Sequence, residues 1–107
     1  MKTLVRSTLT CALLLMVASA TASAQGDAKD LYLSKCAACH GQDGAAKTAK
    51  GKKLKVKTAQ EATAKMSADE MTKIVTDGKG ADMDGFGKQF SKDQIKGLVD
   101  YYRSLAK

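Results

Sequence analysis

The chain has 107 residues, with 18 Lys or Arg against 11 Asp or Glu, a formal net charge of +7, three cysteines, one histidine and no proline. That length allows one domain, and three tyrosines, two phenylalanines and no tryptophan are too few large side chains for a self-sufficient core. The basic balance suits an acidic partner and excludes a highly acidic solvating chain; no aromatic residue interleaves with the lysines, which speaks against nucleic acid.

Residues 1–24 place Lys2 and Arg6 ahead of an apolar stretch from Leu9 to Ala18, followed by Ala22-Ser23-Ala24. That order of charge, apolar run and small residues is a secretory signal peptide, with cleavage expected after Ala24. The stretch is well short of the roughly 20 residues that a membrane span needs, so no stable membrane insertion is expected. Cys11 precedes most of the leucines and reads as a leader residue. The absence of a twin-arginine pair favours threading of an unfolded chain, with any cofactor added afterwards. The expected product is a periplasmic monomer, Gln25 to Lys107, in which Cys36 and Cys39 are the remaining thiols.

In chain order, a first helix is expected from about Ala28 to Cys36, with Asp27 as N-cap and with Ala28, Leu31 and Lys35 on one stripe that Tyr32 broadens. It leads into Cys36-Ala-Ala-Cys39-His40. Two thiols three positions apart can add to the two vinyl groups of one haem, and the adjoining imidazole then lies where it can bind the iron. The same pair could serve as a redox dithiol or as half of a zinc site. Zinc needs two further nitrogen or sulfur ligands where His40 is the only histidine, and no strand pattern supports a thioredoxin-like unit.

Gly44 to Lys65 reads as a loop folded over one edge of the cofactor, with some helix possible near its end and with Leu54 and Val56 as its large apolar residues. Eight lysines fall between Lys35 and Lys65. A second helix starts at the capping box Ser67-Ala68-Asp69-Glu70, carries Met71, Ile74 and Val75 on its apolar side and stops at Asp77-Gly78. A glycine-rich loop, Gly78 to Gly87, follows. A third helix starts at the capping box Ser91-Lys92-Asp93-Gln94, with Ile95, Leu98, Val99, Tyr102 and Leu105 at helical spacing. The two glycine clusters, Gly41 to Gly44 and Gly78 to Gly87, flank the expected cofactor.

His40 is the expected fifth iron ligand, its second ring nitrogen donating to a carbonyl. With no second histidine, the sixth position falls to Met66, Met71, Met83, a lysine amine, water or nothing. Met71 lies on an apolar stripe where packing explains it, and Met66 lies just ahead of that helix. Met83 sits among glycines and aspartates, where no helical stripe needs a thioether, and is the favoured axial ligand.

These features together resemble the small class I c-type cytochromes over essentially the whole exported part. The resemblance rests on Leu31-Tyr32 in the first helix, Cys36-Ala-Ala-Cys39-His40-Gly41 with Gly44 after it, Ile74-x-x-x-Gly78, Met83, and Leu98-Val-Asp-Tyr-Tyr-Arg-Ser-Leu105. It implies an all-α domain of three to four helices wrapped around one covalent haem c, with Leu31 and Tyr32 against Leu98, Tyr101 or Tyr102. Asp84 stands where that family commonly has proline, and no proline follows the haem motif, so a carbonyl from Ala45 to Lys47 is expected to accept from His40.

A His/Met-ligated iron has no open site, which implies a single-electron carrier and not an enzyme. Losing Lys2 and Arg6 from the 18 cations leaves 16 against 11 acids, a net +5 suited to redox partner proteins with an acidic docking face. The competing readings are a five-coordinate haem that binds gas or peroxide, and an electron-transfer subunit of a larger oxidoreductase. Because the porphyrin must supply much of the core, the haem-free chain is expected to be largely unfolded. Circular dichroism of haem-free protein checks this; a native-like helical spectrum would refute it.

Overall fold

A computed structural model describes residues 23–107, with side-chain surroundings from Asp27 onward. The expected leader lies outside the described residues, apart from Ser23 and Ala24, which open the first helix. Six helices follow one another: α1 Ser23–Lys35, α2 Ala37–His40, α3 Ala49–Lys53, α4 Ala59–Lys65, α5 Ala68–Asp77 and α6 Lys92–Ser104. The described residues hold no strand, only an isolated bridge between Lys79 and Met83. No described helix is long and apolar enough to cross a membrane.

The helices start where side chains can accept the free backbone N–H groups of the first turn. Ser67 caps α5 through Glu70 N and Ser91 caps α6 through Gln94 N, each closed reciprocally by the third residue's side chain, as the sequence predicts. A third capping box, Thr58 with Glu61, opens α4 inside the stretch expected to be mostly loop. Asp27 is no N-cap, because α1 starts four residues earlier and runs through it. With the single turns α2 and α3, the number of helices exceeds the expected three to four, although the three long ones are those the capping and periodicity indicate.

The centre of the fold is α6, against which α1, α4 and α5 all pack. Its apolar stripe buries Ile95, Leu98 and Val99, each side chain contributing about 1.5–3 kcal/mol by leaving water. Tyr32, Ala37 and Leu98 form one buried cluster, joined at its edge by Leu31, Cys36, Tyr101 and Tyr102. The rings of Tyr32 and Tyr101 lie 5.2 Å apart and those of Tyr32 and Tyr102 6.3 Å apart, so the expected meeting of first and last helices is present. Ala62, Met71 and Val99 form a second cluster, which Met66, Val75 and Tyr102 extend.

Two backbone features fix α3. Thr48 Oγ1 accepts from Gly51 N at 2.9 Å and donates to Ala38 O at 2.7 Å, which ties the start of α3 to α2. At its other end Lys55 N donates to Lys52 O and Val56 N to Gly51 O, the pair of bonds of a Schellman motif. The residue that turns the chain there is Lys55, at φ +54°, where glycine is usual and a side chain costs about 1–2 kcal/mol.

Gly51 sits under α2 so closely that a Cβ would meet Cys39 O and lie 2.8 Å from Ala46 O. Gly51→Ala is therefore expected to destabilise the protein by about 1–3 kcal/mol, through overpacking against backbone that cannot move aside. The midpoint of thermal unfolding checks it.

Candidate functional site

One cavity of about 220 Å³ opens between α6, α5 and the segment after α3. Leu98, Val99 and Tyr102 of α6, Met71, Ile74 and Val75 of α5, and Leu54 to Lys57 make its walls. Those last four residues bring part of the lysine-rich segment into the cavity wall. Cys36 and His40 enter from one side, and Met83 with Lys79 and Asp82 from the glycine-rich loop.

The α2 turn explains how the motif is presented. Positions 36, 39 and 40 are three and four residues apart, so one helical turn carries both thiols and the imidazole on a common face. Cys36 and Cys39 are free and half-buried, but only Cys36 lines the cavity. Gly41 N closes the turn on Ala37 O at 2.8 Å, at a φ of +80°. The buried Tyr32 hydroxyl donates to Gly41 O at 2.6 Å and so pins the end of α2 to α1.

His40 stands with its ring edge-on to Tyr102, centroids 5.2 Å apart. Its Nδ1 is buried with no hydrogen-bond partner. The carbonyl expected from Ala45 to Lys47 does not reach it. Residues 43–46 turn back on themselves instead, Ala46 N donating to His40 O at 2.9 Å and Ala45 N to the Asp43 carboxylate at 3.0 Å. Burial also pushes the imidazole below its usual pKa, since a cation there would lose its hydration. A neutral ring keeps a lone pair free for a metal.

Burial raises the Cys36 thiol to about 11 and the Tyr102 hydroxyl to about 12, and lifts Tyr32 as well. At these four side chains, His40 included, burial thus disfavours the charged form. An apolar slot with the Cys36 thiol and the His40 imidazole in its lining, and the Cys39 thiol on the same turn, has the donor set for a flat, apolar, metal-bearing ring.

Three methionines line this cavity, Met66, Met71 and Met83. Met71 is buried in the second core cluster with its Sδ 3.9 Å from Arg103 Nη1, and Met66 packs on the same cluster while its carbonyl accepts from Arg103 at 3.1 Å. Met83 belongs to neither core cluster. Its loop is tied to α5 by Gly78 N to Ile74 O at 2.7 Å, Phe86 N to Val75 O at 2.8 Å and Gly87 N to Thr76 O at 3.1 Å, and Lys79 N donates to Met83 O at 2.8 Å. Gly78, at φ +82°, makes room for this, since a Cβ there would lie 2.6 Å from Gly85 N and 2.7 Å from Met83 O.

Sequence reasoning missed the roles of Thr48, Gly51 and Arg103. Thr48 could have been found as a hydroxyl one position ahead of a short Lys- and Ala-rich run; nothing local marks Arg103, whose partners lie 32 and 37 residues away.

Residues 23–101 match the family described as cytochrome c oxidase, cbb3-type, subunit III. Among solved structures, the KustC0563 c-type cytochrome is similar at a TM-score of 0.70 and 30% identity, covering 76% of this chain and 99% of its own. A tyrosine-to-phenylalanine mutant of Kustc0563 gives a TM-score of 0.67 at 28% identity, covering 74% of this chain and 98% of its own. No curated protein matches this chain.

Tyr32→Phe keeps the ring packing and removes the shorter of two hydrogen bonds to Gly41 O, leaving the one from Gly44 N at 3.2 Å. The expected cost is about 0.5–1.5 kcal/mol, read from the denaturant midpoint of the folded protein.

Proposed function

The chain belongs to the family of cytochrome c oxidase, cbb3-type, subunit III, an electron-transfer haem protein with covalent haem c, and we propose that it is a single-electron carrier with His40 and Met83 as axial ligands. In this reading Cys36 and Cys39 carry the two thioether links. When bound, haem c supplies a one-electron couple; the chain supplies its ligands and surroundings. The observation that carries the axial assignment is that Met83 alone, of the three cavity methionines, is not engaged in a core cluster.

Each residue then has a physical task. His40, held neutral by burial, offers a nitrogen lone pair. The Met83 thioether is a soft donor that favours the ferrous over the ferric state and so raises the potential. Leu98, Val99, Ile74 and Val75 exclude water and disfavour the additional ferric charge. If His40 and Met83 both hold the iron, no position on it would be left for a substrate. The bridge between Lys79 and Met83 anchors the loop, which keeps rearrangement on electron transfer small.

The exposed lysines Lys47, Lys50, Lys52 and Lys53 present a cationic face that steers an acidic redox partner. Export to the periplasm by the 1–24 leader fits this role, since covalent haem is added to a chain that arrives unfolded. A second reading is favoured by the family's own description: the protein is the electron-transfer subunit of a larger oxidoreductase. Co-purification with a large partner from native membranes separates the two.

Met83→Ala tests the axial assignment. The ferric parent is expected to show the weak long-wavelength charge-transfer band of sulfur on iron, and the variant to lose it and turn high-spin. A parent that lacks the band and is already high-spin would replace the carrier with a gas- or peroxide-binding haem; a band that survives the substitution would move the ligand to Met66 or Met71.

A further inference from the structure

The lysine excess does not form one uniform patch. Lys47, Lys50, Lys52 and Lys53 surround α3 without lining the cavity, whereas Lys55 and Lys57 line its wall on either side of Val56. A third lysine, Lys79, lines the cavity from the Met83 loop, but Asp82 of the same loop lines it too and offsets that charge. The net positive charge of the cavity therefore comes from residues 55 and 57.

Lys55 holds its place against the local rule. It occupies the position after the helix cap of a Schellman motif, at φ +54°, in a chain whose other described residues at positive φ are Gly41, Gly44, Gly78, Gly80 and Ala46. Of the two side chains carried at positive φ, only that of Lys55 belongs to a residue lining the cavity. Leu54 and Val56 already provide the apolar contact of this wall, so what position 55 adds is an ammonium group on a long stem.

We infer that Lys55 and Lys57 form an anion subsite of the cleft, in which their ammonium groups pair with the propionate carboxylates of haem c. The inference rests on haem c occupying this cavity. The two propionates are the only anionic groups of the macrocycle, and apart from Lys79, which Asp82 offsets, the remaining cavity wall holds no cation to receive them. Pairing there has a redox consequence. A fixed positive charge beside the ring disfavours the ferric state, so Lys55 and Lys57 raise the potential, while the α3 lysines remain free for a partner.

The test compares reduction potentials of the haem-loaded full chain and its Lys55→Asn, Lys57→Asn, Lys55→Gly and Lys52→Asn variants. Asparagine tolerates positive φ, and glycine relieves it, so neither substitution at 55 threatens the fold. The expected result is a lower potential in Lys55→Asn, Lys57→Asn and Lys55→Gly, no shift in Lys52→Asn, and a raised melting temperature in Lys55→Gly. The redox-difference infrared band of the propionates should shift in Lys55→Asn alone of the Lys55→Asn and Lys52→Asn pair. Equal shifts in all four variants would reduce the effect to general surface charge and overturn the subsite. A Lys55→Gly variant that melts higher with an unchanged potential would overturn it as well. A parent without covalent haem fails the attachment reading itself, while a haem-loaded parent with indifferent Lys55 variants fails the subsite alone; because each potential is read against the parent, the identity of the sixth ligand does not enter.

Discussion

Five of the ten buried apolar residues described are alanines, and the rest are Tyr32, Met71, Ile95, Leu98 and Val99. A core so poor in large side chains closes on itself only in part, and the constraint that shapes this molecule is that much of its apolar surface, from Leu54 and Val56 to Met71, Ile74 and Val75, is left facing a cavity. Leu98 and Val99 line that cavity while also belonging to the two separate core clusters. Tyr102 packs against both clusters and also lines the cavity, so a haem bound there would extend a contact that this one ring already makes between them. Covalent attachment suits this dependence, because a cofactor that completes the core cannot be allowed to leave.

The backbone bonds around the cavity follow from the same shortage. Where packing cannot hold α2 in place, directed bonds do. Tyr32 reaches from α1 to Gly41, Thr48 reaches from α3 to Ala38, and Gly51 removes the side chain that would hold α3 off Cys39. In the glycine-rich loop, Gly78 and the bonds from Phe86 and Gly87 to α5 fix the segment that carries Met83. The two axial candidates are thereby presented by short, tightly bonded turns, while the long helices α1, α5 and α6 act as the frame.

Much of this was legible in the sequence for local reasons. Capping boxes at Ser67 and Ser91 are complete within four residues, so the starts of α5 and α6 are where the pattern puts them. The Cys36 to His40 motif is likewise a single-turn signal. Thr58 with Glu61 has the same form and was hidden by its lysine-rich surroundings, which read as loop. What could not be read locally is what depends on distant partners: Arg103 on Met66 and Met71, and the fate of His40 Nδ1, for which the absence of proline suggested a substitute carbonyl that the turn at residues 43–46 directs elsewhere. The strain at Lys55 is a further case, because a lysine among lysines carries no sign of the φ it adopts.

The fold also constrains the order in which it can be made. In the closed structure burial raises the Cys36 thiol to about 11, so at neutral pH it is protonated and a poor nucleophile. The same burial that makes the cavity a good home for haem makes it a poor place to form the thioether bonds. In an open chain Cys36 would escape this desolvation and keep a larger thiolate fraction, which favours attachment before α6 packs onto α1. A chain whose core is incomplete without its cofactor stays open until that step, and the lack of apolar side chains that would otherwise be a weakness keeps Cys36 and Cys39 accessible for as long as attachment requires.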